Sequence, residues 1–359
     1  MWIVRTIARA AAGAALALCL GAGNAGSTPS SWFDDDRPSP LALQAIELLS
    51  DAASHGLQPR DYRADALREA LAQAASGALE HAAVERVDTD MTAALQRYLS
   101  DLHGGRVGPP QPADGFAIKP RDRFDAVAVL HDAAAAGRLA DAVRQAVPPV
   151  PQYERLREAL ARYRVLADHP AWRSPLPPLS APGRGSSSRL EPGQPYAGLA
   201  QLASRLEALG DLAQRDTSAT PDYRGPLVDA VKAFQQRHGL TDDGVIGAAT
   251  LRQLQVSPAA RVKQIELALE RLRWTPLLQG PRMIVVNIPE YVLRAYEVHD
   301  GRIRVQLTMK VIVGKALDTR TPLIDADLRA IEFSPYWNVP PSIARAEVVP
   351  QLRRHPENW

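Results

Sequence analysis

The sequence predicts a multidomain chain that is α first and β second: an all-α region, a compact three-helix module, and a mainly β segment at the end. Apolar residues recur at helical spacing from Leu41 to Leu272. Stretches rich in Pro, Gly and Ser interrupt that pattern, and 30 prolines in 359 residues argue for several joints. From Met283 the pattern changes to β-branched runs joined by an Asp-Gly turn. A chain of this length exceeds one ordinary core, so two or three units are expected.

The first 25 residues read as an export signal. Arg5 and Arg9 are its positive region, Ala10–Leu20 its apolar run of 11 residues, and Gly23-Asn24-Ala25 its small-residue cleavage site. That run is too short for a permanent membrane helix and no other stretch approaches the needed length, so no stable span is expected after cleavage. The expected location is the periplasm. Cys19 is the sole cysteine, and it follows the large Leu18, which argues against a lipid anchor there. Cleavage after Ala25 leaves no disulfide and no thiol nucleophile. Residues 1–25 also hold two basic side chains and no acids, so loss of the signal takes the chain's +2 to about zero. That balance gives no electrostatic case for nucleic acid or an anionic membrane.

Residues 26–40, with Asp34-Asp35-Asp36, read as a flexible lead-in. The scaffold follows over 41–172. Leu41, Ala45, Leu48 and Leu49 stripe one helix, which Gly56 and Pro59 end. Helices are expected at Asp61–Ala75, Val84–Leu102, Phe124–Val147 and Tyr153–Ala167. His55, His81, His103, His131 and His169 lie apart, without a paired spacing or a carboxylate at ligand distance in sequence. They read as solvated or capping side chains, and neither metal nor other cofactor is expected. Residues 173–195 are expected to be a linker or exposed loop.

Over 196–256, Leu199, Leu202, Leu206 and Leu209 mark one helix, closed by Gly210. Pro226 suits a first helical position, with Leu227, Val231 and Phe234 on one face, and Gly239 stops that helix. Asp243-Gly244 turns the chain into a last short helix at Thr250–Leu254. Ala230-Val231-Lys232-Ala233-Phe234-Gln235-Gln236-Arg237-His238-Gly239-Leu240, followed by Asp243-Gly244-Val245-Ile246-Gly247 and Thr250, resembles the peptidoglycan-binding three-helix module. The resemblance implies peptidoglycan as partner and singles out Phe234, Gln235, Asp243 and Thr250. A DNA-reading helix-turn-helix lacks its basic face here, since Lys232, Arg237 and Arg252 are balanced by Asp229, Asp242 and Asp243. A calcium loop at Thr241–Gly244 lacks the alternating carboxylates. Gly244 and Gly247 read as backbone devices, and Val245 and Ile246 as packing residues.

Ser257-Pro258 then opens a connecting helix across 257–281, with Val262, Ile265, Leu269 and Leu272 as a seam that docks the module onto the scaffold. Strands are expected at Met283–Ile288, Tyr291–Val298, Ile303–Val313 and Leu328–Phe333. Ile284–Pro289, Met309–Lys315, Thr321-Pro322 and Ser334–Pro340 resemble the first half of an L,D-transpeptidase catalytic domain, of the periplasmic kind preceded by a helical scaffold. Ala53–Tyr62 and Tyr98–Pro109 are similar to that family's scaffold phrases. The resemblance implies cross-linking of peptidoglycan stems: a cysteine on a Ser-x-Gly-Cys-x-Arg segment attacks the third stem residue, expels the terminal D-alanine, and passes the acyl group to an amine. No such segment occurs in these 359 residues, so no catalytic residue is assigned, and 282–359 is expected to be a catalytic domain cut short and incompletely packed. A serine mechanism through Ser334 or Ser342 lacks a placed base. Tyr336, Trp337 and Asn338 are the expected substrate-side residues; Trp337 could equally pack between sheet and loop. The rival reading is a non-catalytic peptidoglycan-binding scaffold protein. Oligomeric state is left open.

Overall fold

The computed structural model describes residues 32–108, 123–179, 189–213, 222–274, 281–299, 302–315, 320–322 and 326–356. The expected export signal, Cys19 and the expected Asp300-Gly301 turn lie outside them. The described chain forms two compact units, one running up to Ile312 and one from Val313 onward.

The first unit begins earlier than the sequence suggests. From Trp32 the lead-in is packed, forming a hairpin of β1 (Phe33–Asp34) and β2 (Arg37–Pro38). Asp35 and Asp36, at φ 49° and 63°, are its turn. Short polar side chains tolerate that left-handed backbone better than most. Trp32 is 1% exposed. Its indole N–H donates to Thr92 at 2.8 Å and its backbone N–H to Asp88 at 2.7 Å. A buried indole with its polar edge satisfied anchors a chain end, which corrects the expectation of flexibility over 32–40.

Helix α1 (Pro40–Ser50) starts where Ser39 accepts the Ala42 N–H at 3.2 Å and Pro40 takes the first turn. It packs with α2 (Ala64–Ala75) and α3 (His81–Gly104) around Leu49, Leu67, Leu71, Met91, Leu95 and Leu99. The predicted start at Asp61 is a separate 3₁₀ turn, Pro59–Tyr62, which Arg63 leaves at φ 54°. The predicted helix 124–147 is two, α4 (Ala126–Ala135) and α5 (Leu139–Ala146), because Gly137 takes φ 66° between them.

Helix α6 (Pro151–Val165) carries the joint that organises this unit. Against it lies α10 (Pro258–Trp274), the connecting helix, with Ser257 accepting the Ala260 N–H at its start. Val150, Tyr153, Leu160, Ile265 and Leu269 form their common core. The docking expected of the 257–281 helix is thus what its apolar seam does.

The three-helix module consists of α7 (Leu199–Leu209), α8 (Pro226–Arg237) and α9 (Ala248–Gln255) around Leu202, Leu206, Val231, Phe234 and Leu254. The flanks of the expected 173–195 linker belong to it. Leu176 and Leu190 are buried in its core, and Leu190 pairs with Ile246. Apolar side chains within a Pro-rich stretch are what make those ends packed rather than loose; residues 180–188 lie outside the description.

The same unit ends in an antiparallel meander of β3 (Arg282–Asn287), β4 (Val292–His299) and β5 (Arg302–Lys310). Register places Ile284, Val286, Leu293, Ala295, Leu307 and Met309 on one face. A bulge after Ala295 shifts the pairing with β5. The second unit carries Pro341–Ile343 (α11), a π turn Ala344–Val348 and Val349–Arg354 (α12). Pro350 cannot donate an N–H to the ladder, which accounts for an irregular turn before it. The strand expected at Leu328–Phe333 is absent: that stretch has no regular structure, and a strand without a hydrogen-bonded neighbour is not stable.

Gly105 follows α3 at φ 79°, and a Cβ there would lie 2.4 Å from the Trp274 indole nitrogen and 2.7 Å from a Glu270 oxygen. Gly105→Ala is expected to cost about 2 kcal/mol through backbone strain and displacement of α10, measured by denaturant unfolding. Arg205, 1% exposed, donates to the carbonyls of Ala171 at 2.9 Å, Leu254 at 2.8 Å and Ser174 at 2.7 Å, and its guanidinium lies over Trp172. Arg205→Met keeps roughly the volume but strands the buried Ala171 and Leu254 carbonyls and frees that of Ser174. We expect about 2–4 kcal/mol lost and faster amide exchange in α7 and α9.

Candidate functional site

Two regions bear on function. The first is the turn between α8 and α9. Gln235, 1% exposed on the last turn of α8, points its amide into this turn. The amide nitrogen donates to the Val245 carbonyl at 2.9 Å, Thr250 Oγ1 at 3.2 Å and Asp243 Oδ1 at 3.3 Å. Its oxygen accepts the Gly244 N–H at 2.9 Å. Asp243 Oδ1 also accepts the Val245 N–H at 2.8 Å, and the buried Tyr223 hydroxyl donates to the Gly244 carbonyl at 2.6 Å. Burial, then the nearby Asp243 and Asp229, push that phenol's pKa up. Gly244 has φ 76°, and a Cβ would sit 2.8 Å from Val228. Gly247, at φ −89°, needs no glycine for its backbone; Ile246 is buried as expected.

Of the four residues singled out in the module, Phe234, Gln235 and Thr250 are therefore buried, and Asp243 alone faces solvent. Structure brings Gln235, Asp243 and Thr250 together into one hydrogen-bonded knot, with Phe234 beneath it in the core. His238 stacks on Phe234 with ring centroids 3.9 Å apart and Nδ1 2.8 Å from the Phe234 carbonyl, and burial lowers its pKa. These groups shape the module's surface from below.

The second region is the sheet and the chain after it. None of the described residues from 281 to 356 is buried. Glu297, near the end of β4, accepts from Arg282 at 3.2 Å and Gln306 at 2.9 Å, and His299 lies 3.1 Å away. These contacts, His299 first, hold its carboxyl below the usual range. Glu290 is likewise held down, chiefly by hydrogen bonds from Arg294. Both are solvated clusters of opposite charge, the first across the strands and the second between the β3–β4 turn and β4. In the second unit Tyr336 is 98% exposed and Trp337 69% exposed, and Asn338 is exposed as well. Trp337 does not pack into a core there. The three are consecutive and exposed, on a stretch without regular secondary structure.

Sequence reasoning missed the buried polar cluster beneath α10. His55, read as solvated or capping, is 4% exposed, with Nδ1 3.0 Å from the Tyr153 hydroxyl. Arg273 can only donate, and its Nη2 lies 3.1 Å from that same hydroxyl oxygen, so the Tyr153 proton is directed at His55. An acceptor role requires a neutral imidazole. Burial, then Arg157 and Arg273, lower its pKa to about 3. A histidine directly before the helix-breaking Gly56–Pro59 stretch gave no periodic signal of this.

Family models match three parts of the chain: a scaffold domain over residues 27–160, a putative peptidoglycan binding domain over 196–254, and an L,D-transpeptidase catalytic domain over 281–359. This is the three-part architecture of the scaffold-bearing L,D-transpeptidase family. No curated protein matches the chain. The scaffold match takes in Trp32, in keeping with its burial. The peptidoglycan-binding match encloses the Gln235 knot, and the catalytic-domain match encloses the meander and the Tyr336–Asn338 segment.

Gln235→Leu removes the four bonds made by the Gln235 amide while filling much the same space. It is expected to destabilise the module by about 2–3 kcal/mol, seen as early loss of α8 and α9 protection in hydrogen exchange. His55 yields a pH dependence. Between about 3 and its ordinary 6.5 the unfolded chain binds a proton that the folded chain refuses, so folding stability falls as pH drops through that window. His55→Asn is expected to flatten that part of the curve in acid titrations of the unfolding midpoint.

Proposed function

We propose that this chain is an exported, wall-associated protein of the L,D-transpeptidase family, held to peptidoglycan by its 196–256 module. The observation that carries this is the coexistence of a peptidoglycan-binding and an L,D-transpeptidase match on one chain, on either side of α10. Supporting it, no described helix is long and apolar enough to cross a membrane, and residues 1–25 have the composition of an export signal.

In this reading the module fixes the protein on the polymer, and the segment from 282 serves stem-peptide cross-linking. Tyr336, Trp337 and Asn338 present two aromatic faces and one amide to solvent, which suits a sugar-peptide strand lying across them. Asp243 is the exposed polar tip of the module turn, with Phe234, Gln235 and Thr250 holding it in shape. The acyl-enzyme chemistry of the family needs a thiolate. Cys19 is the only cysteine of these 359 residues and lies in the signal segment, so this polypeptide alone is expected to yield no cross-linked product. The second reading is a non-catalytic peptidoglycan-binding scaffold protein, for which the scaffold and peptidoglycan-binding matches would suffice.

Sedimentation with purified sacculi tests the shared part. The full chain is expected to co-sediment, and replacing 196–256 with a short Gly/Ser bridge to reduce retention about tenfold or more. Equal retention by both would remove the module's role. Incubation of the 359-residue chain with stem tetrapeptide substrates, followed by mass spectrometry, tests the expected inactivity of this polypeptide: a cross-linked product would overturn it.

A further inference from the structure

A groove of about 640 Å³ lies on the scaffold between α3 and the chain entering α4. One wall is a stripe of α3: Ala93, Gln96, Arg97 and Ser100, whose small residues leave the trough open. Arg123 and Phe124 form the opposite wall. The Phe124 ring lies parallel to that of His103, with centroids 4.5 Å apart, which holds it in place.

The charge balance of the groove favours an anion. Arg97 is 61% exposed and reaches Asp101 only at 4.0 Å; Arg123 is exposed and has no ion pair among the described residues. The one acid among the described lining residues, Asp125, is committed to capping α4, accepting the Val127 N–H at 3.0 Å and the Ala128 N–H at 3.1 Å. That cap also occupies the backbone donors a phosphate would use, so the site offers guanidinium groups rather than an amide nest. Val127, 59% exposed, adds an apolar wall beside them. Two guanidinium groups with apolar surface between them match a short peptide carrying carboxylates and small side chains.

We propose that this groove binds an acidic peptide, namely the stem peptide of the wall polymer, as a site separate from the three-helix module. The proposal rests on the wall-associated reading for the source of the peptide and on Arg97 and Arg123 for its recognition. A scaffold that holds a stem would keep it near the protein while the module holds the mesh.

The test is an NMR titration of the full chain with a soluble, glycan-free stem tetrapeptide, run beside the same peptide with its carboxylates amidated, and beside inorganic phosphate. We expect saturable shifts around Ser100 and Val127 with the free acid. Arg97→Ala with Arg123→Ala should weaken binding about tenfold or more, and the double lysine variant should keep part of it. Both arginines are exposed, so the variants should keep the wild-type unfolding midpoint. No shifts at millimolar peptide, equal binding of the amidated peptide, displacement by phosphate at equal concentration, or undiminished binding by the double alanine variant would each overturn the proposal. Loss of sacculus retention by the wild-type chain would instead remove the wall-associated reading and leave the peptide result standing.

Discussion

The fully buried guanidinium of Arg273 is the constraint on which the first unit depends. Arg273 sits on the last turn of α10, 0% exposed. It donates to the His55 carbonyl and the Tyr153 hydroxyl, and to Glu270 at 2.7 Å. The other Glu270 oxygen accepts the backbone N–H groups of Arg106 at 2.5 Å and Val107 at 3.0 Å, past the end of α3. One charge therefore ties α10 to the turn after α1, to α6, and through its acid partner to the end of α3. Breaking such a pair strands a buried charge, at roughly 3–5 kcal/mol, which makes the arrangement hard to loosen by degrees.

The consequence for function is mechanical. Helix α10 continues directly from the three-helix module, and Arg164 adds a second tie, to Glu266 at 2.9 Å and the Ala53 carbonyl at 2.6 Å. Arg205 on α7 adds bonds to the carbonyls of Ala171 and Ser174, ahead of the module, and of Leu254 on its last helix. The module is thus joined to the scaffold by packed contacts and buried hydrogen bonds rather than by a linker alone. The sheet is built on the opposite plan. Its apolar stripe of Ile284, Val286, Leu307 and Met309 is exposed, and its ordering comes from strand pairing and solvated charge clusters.

Much of this was legible in the sequence because it depends on local rules. The helical periods of Leu41–Leu49, Leu199–Leu209 and Val262–Leu272, the proline at position 226 and the glycine at position 210 specify elements without reference to distant partners. So do the β-branched runs of the meander. The phrase from Phe234 to Thr250 pointed to the right module, yet its residues do a different job from the one a surface reading assigns them: three of the four are buried and build the turn.

What tertiary structure alone decided is where single polar and aromatic residues went. Trp32 stands in a stretch of Gly, Ser, Pro and Asp that reads as loose, and only the Asp88 and Thr92 acceptors on α3 make it an anchor. His55, Arg205 and Arg273 carry no periodic signal, because a lone polar side chain is buried only when groups far along the chain satisfy it, as residue separations of 218 for Arg273 and His55 and 34 for Arg205 and Ala171 illustrate. The stretch at Leu328–Phe333 shows the converse. Its composition is that of a strand, but a strand exists only where another backbone pairs with it. Patterning determines the elements; long-range hydrogen bonding determines which exceptions to the pattern hold them together.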